Sequence, residues 1–343
     1  MQRRNFLRSA VVATGTIPLC TTSGVNPDAL PGIGKTPALS QADQDAIATA
    51  LGKKGTYNEA QATYSVPLPR NDLSVTVKGE SVPIPFGFGG WVAFKKTLDG
   101  KQTVIMSDTV LLEAEVNPLI DAAHTAGLEV GAIHNHFFYE QPRIFYMHLH
   151  GLGDTAELAR KYAQAIRETK LFPANQPAST PSSAQTSSNA TPAATGTPQA
   201  GMPLTGKELF DLPVLDELIK YKGVVNGPTY KYTIGRDDLT VTDMGAEMTA
   251  AIGLNTWASF AGKQDAAHMA GDVAMLESEV NSVIKTLRSH RIEVVALHHH
   301  MLGEQPRIIF LHYYGRGPAT ELAKGFRATL DQLGKGNQGG MRH

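Results

Sequence analysis

Cysteine is nearly absent from this chain: there is one, Cys20, close to the start. The mature protein therefore has no internal disulfide and no metal site built on thiolates. Any ion would have to sit on histidine and carboxylate. Net charge is nearly absent as well, with Lys+Arg 31 against Asp+Glu 32 and a balance of −1. That excludes the concentrated basic surface that nucleic acid requires, and equally a polybasic membrane patch. No apolar run reaches the roughly 18–20 residues of a transmembrane helix. The chain also lacks a glycine-rich phosphate loop, a nucleophile elbow and a Cys–His pair, so nucleotide hydrolysis and covalent catalysis have no support.

What is present is 42% apolar residues in 343, enough for proper cores and room for about two domains. The first residues read as an address. Arg3-Arg4 is followed by Asn-Phe-Leu, Arg8 and a short apolar run from Ala10 to Leu19. A charged start and a short apolar core make a secretory signal over 1–25, and the arginine pair resembles a twin-arginine (Tat) signal. Export by the Tat machinery would place the protein in the periplasm or another extracytoplasmic space. Ile17-Pro18-Leu19 do not form a lipobox, so a lipoprotein anchored through Cys20 is not expected.

Residues 173–203 are mostly Pro, Ala, Ser, Thr and Gln, with no charge and no large apolar side chain except Met202, and cannot bury enough to offset the entropy of ordering. They read as a flexible linker between two copies of one domain, at 38–172 and 204–333, with 334–343 as a flexible tail. ATYSVPLPRNDLSVTVKGE (62–80) aligns with PTYKYTIGRDDLTVTDMGA (228–246) at an offset of 166, and Trp91 with Trp257 at the same offset. Asp108 aligns with Asp272 at 164, so a hairpin loop between them is two residues shorter in the second copy. A whole domain has been duplicated, which is not the short period of a solenoid.

Each copy reads as α+β: two tandem domains, each a mostly antiparallel sheet with helices packed on it, forming a pseudo-dimer. Helices are expected at 41–51 and 213–221, and at 112–126, where Pro118 sits in the tolerant first turn. Alternation and β-branched content predict strands at 62–68, 73–79, 90–97, 103–110, 128–137 and 143–150. A last helix opens at Asp154, with Glu157 completing a capping box.

Twelve histidines are many for this length, and they gather in two stretches. HNHFFYEQPRIFYMHLHG at 134–151 recurs as HHHMLGEQPRIIFLHYYG at 298–315. Alternate residues of a strand share a face, so His134 and His136 point together, as do Ile144, Tyr146, His148 and His150. A hairpin symmetric about Glu140 puts His148 opposite Ala132, roughly 7 Å along the strand from His134. Imidazoles can meet at one ion across that gap. The candidate ligands are His134, His136 and His148, with His298, His300 and His312 as the twin set. Glu140 and Glu304 are candidate catalytic residues, as ligand or general base. The ion would be divalent, with zinc, iron or manganese foremost.

Retention of these residues in both copies could instead serve the folding of a common hairpin. Arg143 and Arg307 are candidates for binding an anionic substrate, weighed against a structural ion pair. Asp108 and Asp272 read as turn formers rather than further ligands, Trp91 and Trp257 as core, and the methionines as packing. His-Asn-His matches the HNH nucleases in letters only. H-x-H-x₃-E matches the first cupin motif, but cupins are almost wholly β and here a helix precedes the motif.

The pattern H-N-H-x₃-E-x-P-R-x₃-M-H-x-H-G, with the upstream Glu115-Val116-Asn117 helix, resembles the LppY/LpqO family (DUF1259) of exported bacterial proteins. The resemblance covers roughly 41–170 and 205–332. The second copy departs from it at His299, Leu311 and Tyr314. It implies an exported two-domain protein and no particular reaction. Two readings of function follow. One is a metal-binding protein that acts as a metal-dependent hydrolase of a small molecule or envelope component, or only binds the metal. The other is a non-catalytic small-ligand-binding module with structural histidines.

Overall fold

The computed structural model describes residues 36–171 and 204–334. The expected signal at 1–25, the expected linker at 173–203 and nearly all of the expected tail at 334–343 lie outside them. Copy one runs α1 (Gln41–Leu51), β1 (Thr56–Asn58), β2 (Thr63–Pro69), β3 (Val75–Val77), β4 (Glu80–Val82), β5 (Gly89–Lys96), β6 (Thr103–Leu112), α2 (Glu113–Thr125), β7 (Glu129–His134), β8 (Glu140–Gln141), β9 (Ile144–Gly153) and α3 (Thr155–Ala165). Copy two runs α4 (Gly206–Leu209), α5 (Leu212–Ile219), β10 (Val224–Asn226), β11 (Thr229–Gly235), β12 (Val241–Asp243), β13 (Ala246–Met248), β14 (Asn255–Lys263), β15 (Ala266–Leu276), α6 (Val280–Ser289), β16 (Glu293–His298), β17 (Ile308–Gly317) and α7 (Ala319–Leu330). Among the described residues no helix is long and apolar enough to cross a membrane.

Local chemistry explains most boundaries. Ser40 caps α1 in a reciprocal box with Asp43, and Gly52 ends it in the left-handed conformation. Asp154 caps α3 by accepting from the amide of Glu157, one half of the expected box. Pro118 falls in the second turn of α2, not the first, so it removes one helix hydrogen bond. The strand expected at 128–137 ends at His134, because Asn135 turns its side-chain amide to Ile144 O at 2.6 Å and the chain leaves the ladder.

Each copy forms a six-stranded antiparallel sheet, β1-β2-β5-β6-β9-β7 and its twin β10-β11-β14-β15-β17-β16. Period-two alternation then assigns two faces. On β6 and β9, Ile105, Leu111, Met147 and Leu149 face the helices and join Leu119, Leu158 and Tyr162 in one core. Val104, Met106, Val110, Ile144 and Tyr146 face the other way, against residues of the second copy. The order is therefore helices, sheet, sheet, helices, and the two sheets share a core.

The copies also exchange arms. The β3–β4 hairpin packs Val75, Val77 and Val82 with Ala261, Ala270 and Tyr314 of copy two. Its tip is tied by Glu80 to Arg316 and by Lys78 to Glu293. The β12–β13 hairpin packs Val241, Ala246 and Met248 with Ala93 and Met106 of copy one. Inside each copy a buried arginine braces the sheet edge. Arg70 bonds Asp72, Glu115 and Val110 O, and Arg236 bonds Asp238, Glu279 and Ala274 O in the same way.

Candidate metal centre

The ladder between β7 and β9 pairs Ala132 with His148, and that between β16 and β17 pairs Ala296 with His312. Alternation along β9 and β17 turns both rings toward the opposite sheet. Each ring is anchored by a backbone carbonyl: His148 Nδ1 lies 2.9 Å from Ser107 O, and His312 Nδ1 lies 3.2 Å from Gly271 O. Donation to a carbonyl places the proton on Nδ1 and leaves Nε2 as the lone-pair atom.

The two candidate sets do not form separate sites. His134 Nε2 lies 3.1 Å from His312 Nε2 of the other copy and 3.2 Å from His136 Nε2. His134 stacks on His298 at 3.8 Å between ring centres, His136 on His312 at 3.6 Å, and His148 meets His300 at 4.0 Å. All six rings thus converge on the seam between the sheets. Two groups hold ligand atoms within 4.8 Å of one another, His134/His298/His312 and His148/His298/His300, and each draws on both copies. Tyr146 and Phe310 floor the cluster: Tyr146 stacks on His136 at 3.2 Å and Phe310 on His300 at 3.5 Å. The Tyr146 hydroxyl is committed to Gly87 O at 2.8 Å.

All six rings are buried, with at most 8% of each exposed. Burial, then the neighbouring imidazoles, holds His134, His136, His298 and His300 well below the ordinary histidine range. Burial lowers His148 and His312 to about 3, against the opposing pull of their carbonyl partners. The rings are therefore neutral, and a buried cluster of neutral imidazoles offers lone pairs that hydrogen bonds do not use up. Among the described residues, His148 Nε2, both nitrogens of His298, and Nδ1 of His134, His136 and His300 have no partner. One proton at His134 Nε2 can serve His136 or His312 well, but not both. An ion at about 2.0–2.1 Å from each nitrogen would set tetrahedral ligands about 3.3–3.4 Å apart. The two Nε2 separations fit that edge closely, so the residues suit a divalent metal.

Asp108 and Asp272 are corrected by the fold. They are not turn residues but sit mid-strand on β6 and β15, facing the seam. Asp272 Oδ2 lies 3.5 Å from His300 Nε2 and 3.9 Å from His312 Nε2. Burial raises Asp108 to about 7, with Lys231 opposing, and raises Asp272 well above the carboxylate range, with Asp108 adding to it. Trp91 packs against the shared core, as expected, but the two tryptophans also have an exposed side. Both are half-buried and line clefts that reach the histidines. Lys231 escaped the sequence reading. Its ammonium lies 4.3 Å above the Trp257 ring, and burial lowers it to about 8 with Asp108 opposing. The signal was available: the aligned position in copy one is Ser65.

Glu140 and Glu304 are buried at the hairpin bends. Each accepts from a backbone amide, Ile144 N at 3.3 Å and Ile308 N at 3.0 Å, and each keeps its second oxygen unpartnered. Neither lines the two clefts that reach the histidines. Arg143 bonds Asn135 Oδ1 at 3.1 Å and approaches Glu140 at 3.6 Å, outside the clefts. Arg307 is exposed.

Fold and site define a class: a duplicated α+β protein whose two sheets enclose one histidine centre. A family model described as a domain of unknown function, DUF1259, matches residues 45–168 and again 214–332. These matches span most of the chain, and the chain belongs to that family with two copies in tandem. No curated protein and no solved structure matches it.

Proposed function

We propose that this is an exported metalloprotein in which a divalent transition metal is held between the two copies by His134, His136, His148, His298, His300 and His312. The observation that carries this reading is the approach of His134 Nε2 to His312 Nε2 and His136 Nε2 at 3.1 and 3.2 Å, in a buried seam with unpartnered ring nitrogens. A donor set dominated by imidazole favours zinc or iron over manganese, which prefers oxygen. The Tat-like start of the chain and the likeness of the His-rich stretch to the LppY/LpqO family support export to the periplasm or beyond.

The activity that fits best is metal-dependent hydrolysis of a small molecule or an envelope component. The ion would supply Lewis acidity. Asp108 lines both clefts, and its carboxyl is poised near neutrality to accept a proton. Glu140 and Glu304 then clamp the hairpins that present the histidines. A second reading is a ligand-binding module without catalysis. The clefts lined by both tryptophans favour it, and it needs no ion.

The deciding experiment is elemental analysis of untagged mature protein beside the His134→Ala/His298→Ala double variant. Near-stoichiometric zinc or iron in the wild type that is lost in the variant is expected. Wild-type protein without metal, or a variant that keeps it, overturns the proposal.

A further inference from the structure

The two copies have diverged at one place that changes access to the centre. On one side Ser65 Oγ donates to Ala251 O at 3.3 Å, and Gln61 Oε1 accepts from Ala251 N at 2.6 Å. These bonds pin the 250–252 turn of copy two against β2. Asn255 closes the same side by donating to Ala250 O at 2.8 Å. The space left there, over His300 and His312, is about 100 Å³.

On the other side the aligned residues differ. Gly227 stands for Gln61, Lys231 for Ser65 and Gly89 for Asn255. The pinning bonds cannot form, and a Cβ on Gly89 would meet nothing within 4 Å. A cleft of about 540 Å³ results, and it reaches His136. Its walls are apolar, with Pro67, Pro69 and Ile84 beside the faces of Trp91 and Trp257. Lys231 lines this cleft and also the narrower space; it makes no hydrogen bond or ion pair among the described residues, and its ammonium lies over the Trp257 ring with the Asp108 charge nearby. Lys53 lies at the rim, tied to Pro67 O at 2.7 Å. Two ammonium groups and one carboxylate, Asp108, line this cleft.

We propose that this side is the ligand entrance to the histidine centre, and that it takes a small organic anion. The acid group pairs with Lys231 and the apolar body lies between the tryptophans and the prolines. The second copy thus supplies the anion-binding residue for the entrance built by the first. Cation–π contact already holds the ammonium over Trp257, so little ordering remains to be done on binding. The inference rests on the proposed centre for what the ligand meets at the bottom of the cleft, but the anion subsite stands on its own residues.

The chain has two tryptophans, and both line this cleft, so intrinsic fluorescence reports it directly. The probes are phenylacetate and phenyl phosphate, with benzyl alcohol as the neutral counterpart. Saturable change with at least one anion and none with benzyl alcohol is expected, and the two anions separate carboxylate from phosphate as the preferred head group. Lys231→Ser, the residue the twin carries, should weaken binding at least tenfold without changing metal content, and Lys231→Arg should restore most of it. An equal response to benzyl alcohol, no response to either anion, or unchanged binding by Lys231→Ser overturns the proposal. Lys231-dependent binding by a wild-type protein that carries no metal would sustain the anion subsite while defeating the metal reading.

Discussion

Neutral histidines buried between the two sheets should make the protein acid-sensitive in a way that one variant isolates. In an unfolded chain imidazole protonates near about 6.5. Folding holds His148 and His312 down to about 3. Between those values the unfolded chain binds protons that the folded chain refuses, so stability is lost as pH falls below about 6.5. At about pH 5, roughly 1.5 units down, each ring costs about 2 kcal/mol and the pair about 4 kcal/mol. Asp108 works in the opposite sense, because its raised value lets the folded protein take up a proton first. A comparison of variants cancels that contribution. His148→Asn/His312→Asn keeps a side-chain donor for Ser107 O and Gly271 O but cannot titrate. Urea unfolding in excess chelator at about pH 7.5 and about pH 5 is the assay. The wild type should lose about 4 kcal/mol more than the variant over that interval, a midpoint difference of roughly 1.3 M at an m-value of roughly 3 kcal/mol/M. Equal losses in the two proteins would refute the reasoning.

Three further outcomes are expected. Arg70→Met leaves Glu115 and Asp72 without their buried partner and should cost about 3 kcal/mol, read as a shift in the urea midpoint. Gly271→Ser installs the residue that copy one carries at 107, but its Cβ would collide with Trp257 O and the Tyr313 hydroxyl. Neither can retreat without breaking a strand pairing or a packed ring, so a loss of at least about 3 kcal/mol is expected by thermal or urea unfolding. Proteolytic or engineered cleavage within 173–203 should leave the two copies associated, because their shared core contains Tyr146 and Tyr314 together and Met106 and Met248 together. Size-exclusion chromatography with light scattering would then report one particle of undiminished mass, and separation into two would defeat the shared-core description.

The sequence alone determined the duplication, the α+β class and the face of β9 that carries its histidines. These are local properties. An offset that holds over a whole domain needs no coordinates, and alternation fixes which side chains share a face. The hairpin register that sets His148 against Ala132 was legible for the same reason. Strand ends were less so, since Asn135 leaves the ladder through a side-chain bond to Ile144 O that no propensity encodes. Mid-strand Asp108 looked like a turn residue because aspartate disfavours strands, and only a buried seam facing histidines gives it a reason to be there. What the tertiary structure alone decided is which histidines meet. Chain proximity favoured His134 with His148, but the two sheets pack face to face and bring His134 to His312. The cleft is likewise a product of packing. Lys231 is an unremarkable residue of β11 until the other copy's Trp91, Pro67 and His136 are set around it, because a contact between two copies depends on how their surfaces fit and not on the order of residues in either.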